Sequence, residues 1–415
     1  MKILAQDHIR INDNSGTGLF SYSPGICMGI NGRIIVTSGT SGIDELMNDY
    51  KIKARRYGRW FQGRIYASDD KGKTFVQKGE FPFMHARPFL CGNRLYILGQ
   101  CNDLMITASD DNGETWTNAS ALTDGEMWHQ APCNVHYKGD YVYLVMEKRS
   151  GMEITGWMVH DFAPVLMRGN INDDLTKREN WTFASELYFH QAIEKDKLEY
   201  TGIPFFWTTP STFVEIAPGR GCAEIGWLET NVIEFYDNTH YLYSENTFHL
   251  FMRAHTGGTG YCALAKVVEN DDGSMVTMLE KAPSGKKLAY APMPGGQMKF
   301  HIIYDDETKL YWLLSTQSTD SMTRAEYLPE DRYNLPNNER RRLVLHFSKN
   351  CFDWCFAGVV AIGDCEKCSR HYAAMAIDGD DLYIVSRSGD EYAKDAHDTN
   401  FVSFHKVKGF RDLIY

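Results

Sequence analysis

Short apolar runs separated by turn residues dominate the pattern along this chain. Five times a turn leads into an apolar strand: NGRIIVT (31–37), GNRLYIL (92–98), GDYVYLV (139–145), TKLYWLL (308–314) and GDDLYIV (379–385). Each follows another short apolar strand, in order PGICMGI, RPFLCG, APCNVHY, KFHIIYD and HYAAMAID. Two strands about a tight turn make a β-hairpin, so one hairpin is written five times. LETNVIEFYD (228–237) followed by FHLFMRA (248–254) supplies a sixth. Long stretches of helical periodicity are absent. Regularly spaced hairpins of this kind, arranged about an axis, build a β-propeller.

A second repeat agrees. SDDKGKTF (68–75) and SDDNGETW (109–116) share Ser-x-Asp-x-Gly-x-Thr-aromatic, and each follows an apolar strand, RIYA or MITA. Asp can accept backbone N–H groups inside such a turn and Gly can take positive φ, so the pattern is a structural turn. A calcium loop at Asp69–Asp70 or Asp110–Asp111 is the minor alternative. Weaker versions at 170–184 and 347–357 keep an Asp and a Trp.

The octapeptide resembles the Asp-box of the sialidase-like (BNR-repeat) propellers, in their bacterial carbohydrate-active branch. The stretches PGGQMKFHIIYD, ERRRLVLHFSKN and AHDTNFVSFHKVKGFRDL resemble bacterial proteins of that kind. The resemblance implies one all-β domain over residues 1–415, a propeller of six blades. A seventh blade would have to lie in 195–225. FVSFHKV (401–407) is expected to pair with KILAQDHIRI near the N-terminus, closing the ring and removing free edges.

Composition narrows the chemistry. The net charge of −11 argues against nucleic acid or an anionic membrane, which need a basic face. No apolar run approaches the roughly 18 residues of a membrane span. The first residues, MKILAQDHIRIND, do not read as a signal peptide, which as written implies a cytoplasmic chain. Nine Trp, 23 Tyr and 22 Phe suit both strands and the stacking surfaces that sugars use. Ten Cys without a regular framework imply free thiols. Cys351, Cys355, Cys365, Cys368 and His371 cluster in sequence, but their spacing suits unliganded thiols better than a zinc site. No cofactor is expected.

In a propeller the first strand of each blade lines the axis, and the loops leading into these strands gather at one mouth. The side chains there are Tyr22-Ser23, His85-Ala86-Arg87, Trp128-His129-Gln130, Trp227-Leu228-Glu229-Thr230-Asn231, Gln297-Met298-Lys299-Phe300-His301 and Arg370-His371. A basic, His-rich mouth in an acidic protein points to an anionic substrate, an acidic oligosaccharide or polysaccharide. His85, His129, Glu229 and His301 are the candidate acid–base groups. Arg87, Trp128, Gln130, Asn231, Arg253, Lys299, Arg370, His371 and Arg387 are the candidate binding groups.

The first reading is a glycoside hydrolase acting on a sialate- or uronate-containing glycan. Sialidases use three Arg on the substrate carboxylate, a Tyr–Glu nucleophile pair and an Asp acid/base. This chain has no Arg-Ile-Pro before the first octapeptide, and RRYGRWFQGR (55–64) does not replace it. The pattern does not select a nucleophile among the tyrosines. The second reading is a uronate-directed lyase. FPFMHARPFLCGNRLYILG resembles the segment where such propellers carry a catalytic His, which maps to His85. Their second His is absent from QCNDLMITAS, leaving His129 for the role. The third reading is a glycan-binding propeller with Trp128, Trp227 and Trp312 as stacking platforms.

Overall fold

A computed structural model describes residues 2–154, 157–193, 200–201, 214–217, 220–222, 225–256, 258–319, 327–329 and 339–415. Six antiparallel sheets follow one another along the chain, each running from an inner to an outer strand. Blade 1 comprises Phe20–Met28, Ile34–Gly42, Arg59–Ser68 and Val76–Phe81. Blade 2 comprises Met84–Cys91, Arg94–Cys101, Asp103–Ser109 and Ser120–Ala121. Blade 3 has a divided inner edge, Trp128–His129 and His136–Lys138, then Tyr141–Arg149, Phe162–Asn170 and Trp181–Phe183. Blade 4 comprises Gly226–Ile233, Thr247–His255, Tyr261–Glu269 and Met275–Met278. Blade 5 comprises His301–Asp305, Leu310–Thr316, Arg342–Ser348 and Cys355–Ile362. Blade 6 comprises Arg370–Asp378, Asp381–Ser388, Phe401–Val407 and, from the other end of the chain, Ile9–Arg10.

The core explains why the second strands read as continuous apolar runs. In Tyr141–Arg149, Val142, Leu144 and Met146 pack toward blade 2 while Tyr143 and Val145 pack toward blade 4. Successive side chains point to opposite faces, and here both faces are covered. Leu382 and Ile384 face blade 5 in the same way, and Tyr383 and Val385 face blade 1. A large apolar cluster fills each of the six blade interfaces, including the one between blades 6 and 1. The ring is closed by the expected pairing, with Ile9 opposite Phe404 and Arg10 opposite Ser403.

Both octapeptides are turns between the third and fourth strands. Asp70 accepts from the Ser68 hydroxyl (2.8 Å), the backbone N–H of Lys73 and Thr74 (2.9 Å each) and the Thr74 hydroxyl (2.6 Å). Asp111 repeats the set with Ser109 and Thr115. These donors hold both carboxyls down at about 2. The bonds use the carboxylate within its own turn, as the structural reading requires. At 347–357 Asn350 takes the place of Asp, accepting from Phe352 and Asp353 N–H.

One expectation changes. Cys365 and Cys368 form a disulfide, not two free thiols, because a two-residue spacer in a turn brings their sulfurs together. The zinc alternative thereby loses two of its thiolates. The described part of 195–225 makes a short hairpin, Val214–Ala217 with Arg220–Cys222, and a two-residue strand, Tyr200–Thr201; the rest lies outside the described residues. Among the described residues no helix is long and apolar enough to cross a membrane.

Candidate active site

One backbone irregularity builds the mouth. In blades 1, 2, 4 and 6 the inner strand carries a bulge near its start, where the register jumps at Tyr22/Gly25, Met84/Arg87, Leu228/Asn231 and His371/Ala374. Two residues there face one on the second strand. The first of each pair has positive φ without being glycine: Ser23 (20°), His85 (55°), Glu229 (58°) and Tyr372 (49°). Such conformations cost energy and persist where the surroundings impose them. The repeated bulge turns three polar side chains, His85, Glu229 and Tyr372, from their strands into one cluster. The residues opposite the bulge starts, Gln100, Arg253 and Arg387, come from the second strands of the same blades.

Glu229, Arg253, Tyr372 and Arg387 form one group of contacts. Arg253 Nη1 donates to Tyr372 Oη at 3.0 Å and lies 3.4 Å from Glu229 Oε2, while Nε donates to the Gln297 carbonyl at 2.8 Å. Burial, and then the Glu229 carboxylate, push the Tyr372 phenol above its ordinary value; Arg253, Arg340 and Arg387 pull it back. The guanidinium carbons of Arg387 and Arg340 lie 5.3 and 5.7 Å from the Tyr372 ring centre. Arg340 also meets His371 Nδ1 at 2.8 Å. The indole of Trp157 covers Arg253 at 5.2 Å.

On the blade 2–3 side, His85 Nδ1 meets Gln100 Nε2 at 2.9 Å, and its ring stands edge-on to His129 at 5.3 Å. His129 stacks on Phe162 at 4.9 Å. Burial, and then the neighbouring Arg56, push His129 down to about 3, and desolvation beside His129 and Arg56 puts His85 well below the usual range. Both imidazoles are therefore neutral at physiological pH. Beneath them Glu147 is fully buried and accepts from Thr230 N–H (3.1 Å) and Oγ1 (2.9 Å). Burial raises its carboxyl to about 8 despite those bonds, so it is largely protonated at neutral pH.

On the blade 1–6 side Asp398 accepts from Tyr22 Oη (2.7 Å), Lys394 (3.0 Å), Arg59 (3.1 Å) and His397 (2.9 Å). Its carboxyl stays ionised far below the usual range; burial opposes this, and the His397, Tyr22 and Lys394 hydrogen bonds outweigh it. Asp395, His397 and Asp398 offer ligand atoms within 4.8 Å of one another. Arg59 and Lys394 already supply the positive charge a metal would bring there.

The remaining predicted site residues divide by depth. His371 sits behind Tyr372, and Arg387 lies over the Tyr22 ring at 4.0 Å. Arg87, Lys299 and His301 lie lower, at the waist of the channel, where Lys299 donates to the Ala373 carbonyl and burial lowers it to about 8. Gln130 and Asn231 use their amides on the Thr230 and Phe300 carbonyls, stitching neighbouring inner strands. Arg370 turns outward to the Ser369 and Gly389 carbonyls. Trp128, Trp227 and Trp312 are fully buried between blades, so none offers a face to a sugar.

Sequence reasoning missed Tyr372, Arg340, Glu147 and Trp157. Aligning the inner strands would have found Tyr372, which occupies the position of His85 and Glu229.

No protein-family model matches the chain, and no curated protein matches its sequence. Solved structures do resemble it. A Trypanosoma rangeli sialidase in complex with sialic acid superposes with a TM-score of 0.52 at 13% identity, covering 100% of this chain and 61% of the sialidase. An α-L-arabinofuranosidase from Fusarium graminearum in complex with an iminosugar inhibitor gives 0.52 at 9%, covering 98% of each. A Dyadobacter fermentans protein of unknown function gives 0.51 at 10%, covering 97% of this chain and 99% of its own. The fold is thus that of the sialidase-like six-bladed propellers. The chain spans about 61% of the sialidase it resembles.

Proposed function

We propose that this propeller is a glycoside hydrolase acting on an acidic glycan at the bulge-built mouth. The observation that carries the reading is the triplet Tyr372, Arg253 and Glu229, in which one buried guanidinium nitrogen serves both the phenol and the carboxylate. A buried phenol held above its ordinary value needs a base to become a nucleophile, and the Glu229 carboxylate on the same guanidinium nitrogen is placed for that role. Tyr372 Oη attacks the anomeric carbon while Glu229 takes its proton. The glycosyl–tyrosine intermediate is then hydrolysed, so the configuration is retained. Arg253, Arg340 and Arg387 hold the sugar carboxylate. We assign protonation of the leaving oxygen to the loop 43–58 of blade 1, whose exposed acids are Asp44, Glu45 and Asp49.

A lyase is the second reading, favoured by the neutral His85–His129 pair. Either imidazole could take the proton next to a uronate carboxylate neutralised by arginine. Incubation with sialosides and uronate oligomers, following reducing sugar and the ultraviolet absorbance of unsaturated uronate together, tests the two. Reducing sugar without absorbance supports hydrolysis; absorbance rising with cleavage supports elimination; neither signal overturns both.

A further inference from the structure

The channel contains a second cavity that the mouth chemistry does not use. Its volume is about 500 Å³, and its lining comes from the C-terminal parts of the inner strands, such as Cys27, Leu90, Val135, Ile233 and Ile377. It therefore opens at the end of the axis away from the bulges. Exposed Tyr137, Tyr236 and Asp306 stand at its rim.

Arg87 and His301 line its inner end. Arg87 is 2% exposed, and none of its three guanidinium nitrogens has a hydrogen-bond partner. His301 is 5% exposed and its Nδ1 also lacks one. Among the described residues no carboxylate forms an ion pair with Arg87. The carboxyl that acts on it, Glu147, is largely protonated at neutral pH. A buried guanidinium without a partner is costly, and its planar fork suits two oxygens of one anion.

The walls choose among anions. Ile26, Phe89, Val135, Ile233 and Ile303 make them largely apolar. At the rim Glu234 pairs with Lys138 at 2.6 Å and meets His136 Nε2 at 3.1 Å, and the exposed Asp306 pairs with Lys309 at 3.7 Å. One unpartnered guanidinium at the end of an apolar sleeve, with the rim carboxylates already paired to lysines, suits a single negative charge on an apolar body. We propose that this lower cavity binds a small organic monocarboxylate, its two oxygens on Arg87 and one also reached by His301.

The test is calorimetric titration and thermal melting of the full chain with hexanoate and benzoate, against chloride and inorganic phosphate at equal ionic strength. Saturable binding of one carboxylate per chain, with a rising melting temperature, is expected. Arg87→Met should weaken it roughly tenfold or more. Ala376→Trp, which puts an indole into the cavity from its lining, should weaken it severalfold and leave any glycan turnover at the mouth unchanged. That separates the two sites, because carboxylate binding is read whether or not the mouth proves hydrolytic. Absence of saturable carboxylate binding overturns the proposal. So does binding unchanged in Ala376→Trp, or phosphate binding tighter than either carboxylate.

Discussion

Glu229 and Tyr372 stand on different blades yet meet at one nitrogen, Arg253 Nη1, at 3.4 and 3.0 Å. Neither residue could reach it from a regular strand. Each is turned inward by a bulge with left-handed backbone, so the fold bears local strain in order to bring carboxylate, phenol and guanidinium together.

That arrangement ties stability to the site. Arg253→Met strands the Glu229 carboxylate in a buried place and should cost about 3–5 kcal/mol. Arg253→Met with Glu229→Gln should cost less than the sum of the two single changes, since the stranded charge is gone. Denaturant unfolding of the four proteins measures the coupling.

Activity should divide from stability at Tyr372. Tyr372→Phe removes one hydroxyl, and the melting temperature should move by only a few degrees. Hydrolysis should fall by about 10²-fold or more. Arg387→Met should raise KM for acidic substrates more than it lowers kcat, because its cation binds charge that substrate and transition state share.

The pH dependence of stability has opposite slopes on its two sides. Glu147 is raised to about 8 in the fold. Its contribution is fully present below the unfolded carboxyl value of about 4.3, and it is lost as pH climbs through about 8. His129 is lowered to about 3, so its contribution is present above about 6.5 and lost as pH falls through about 3. Melting temperature should therefore peak between these limits. Glu147→Gln, which keeps an acceptor for Thr230, should flatten the alkaline decline between about pH 5 and 8.

The octapeptide turns make a purely structural prediction. Gly72 has φ of 81°, and a Cβ there would come within 2.2 Å of the Phe404 ring on blade 6. Gly72→Ala should lose more than the roughly 1 kcal/mol of a positive-φ glycine. Gly139→Ala, at φ of 56° with open space around it, should lose only that much. Comparison of their unfolding midpoints checks the difference.

The architecture was legible because it is written in local signals. Tight turns, apolar strands buried on both faces and a repeated Ser-Asp-Gly-Thr turn each have a short-range physical cause. The candidate site was legible only where charge stood out against an apolar run, as at His85, His129, Glu229 and Arg387. Tyr372 was hidden because a tyrosine before Ala373-Ala374 reads as another strand residue, and only the bulge gives it a different direction. Arg340 and Glu147 were hidden for a second reason. They reach the mouth from outside the inner strands, and long-range blade packing decides that. The tryptophans misled in the other direction, since their area serves the blade interfaces.

The most direct test of the central claim is hydrolysis of the acidic-glycan panel by the unaltered protein and by Tyr372→Phe, with refolding and melting as controls. The account predicts released reducing sugar from the first, without unsaturated uronate, and its loss in the second with the fold intact. Full turnover by folded Tyr372→Phe would contradict it.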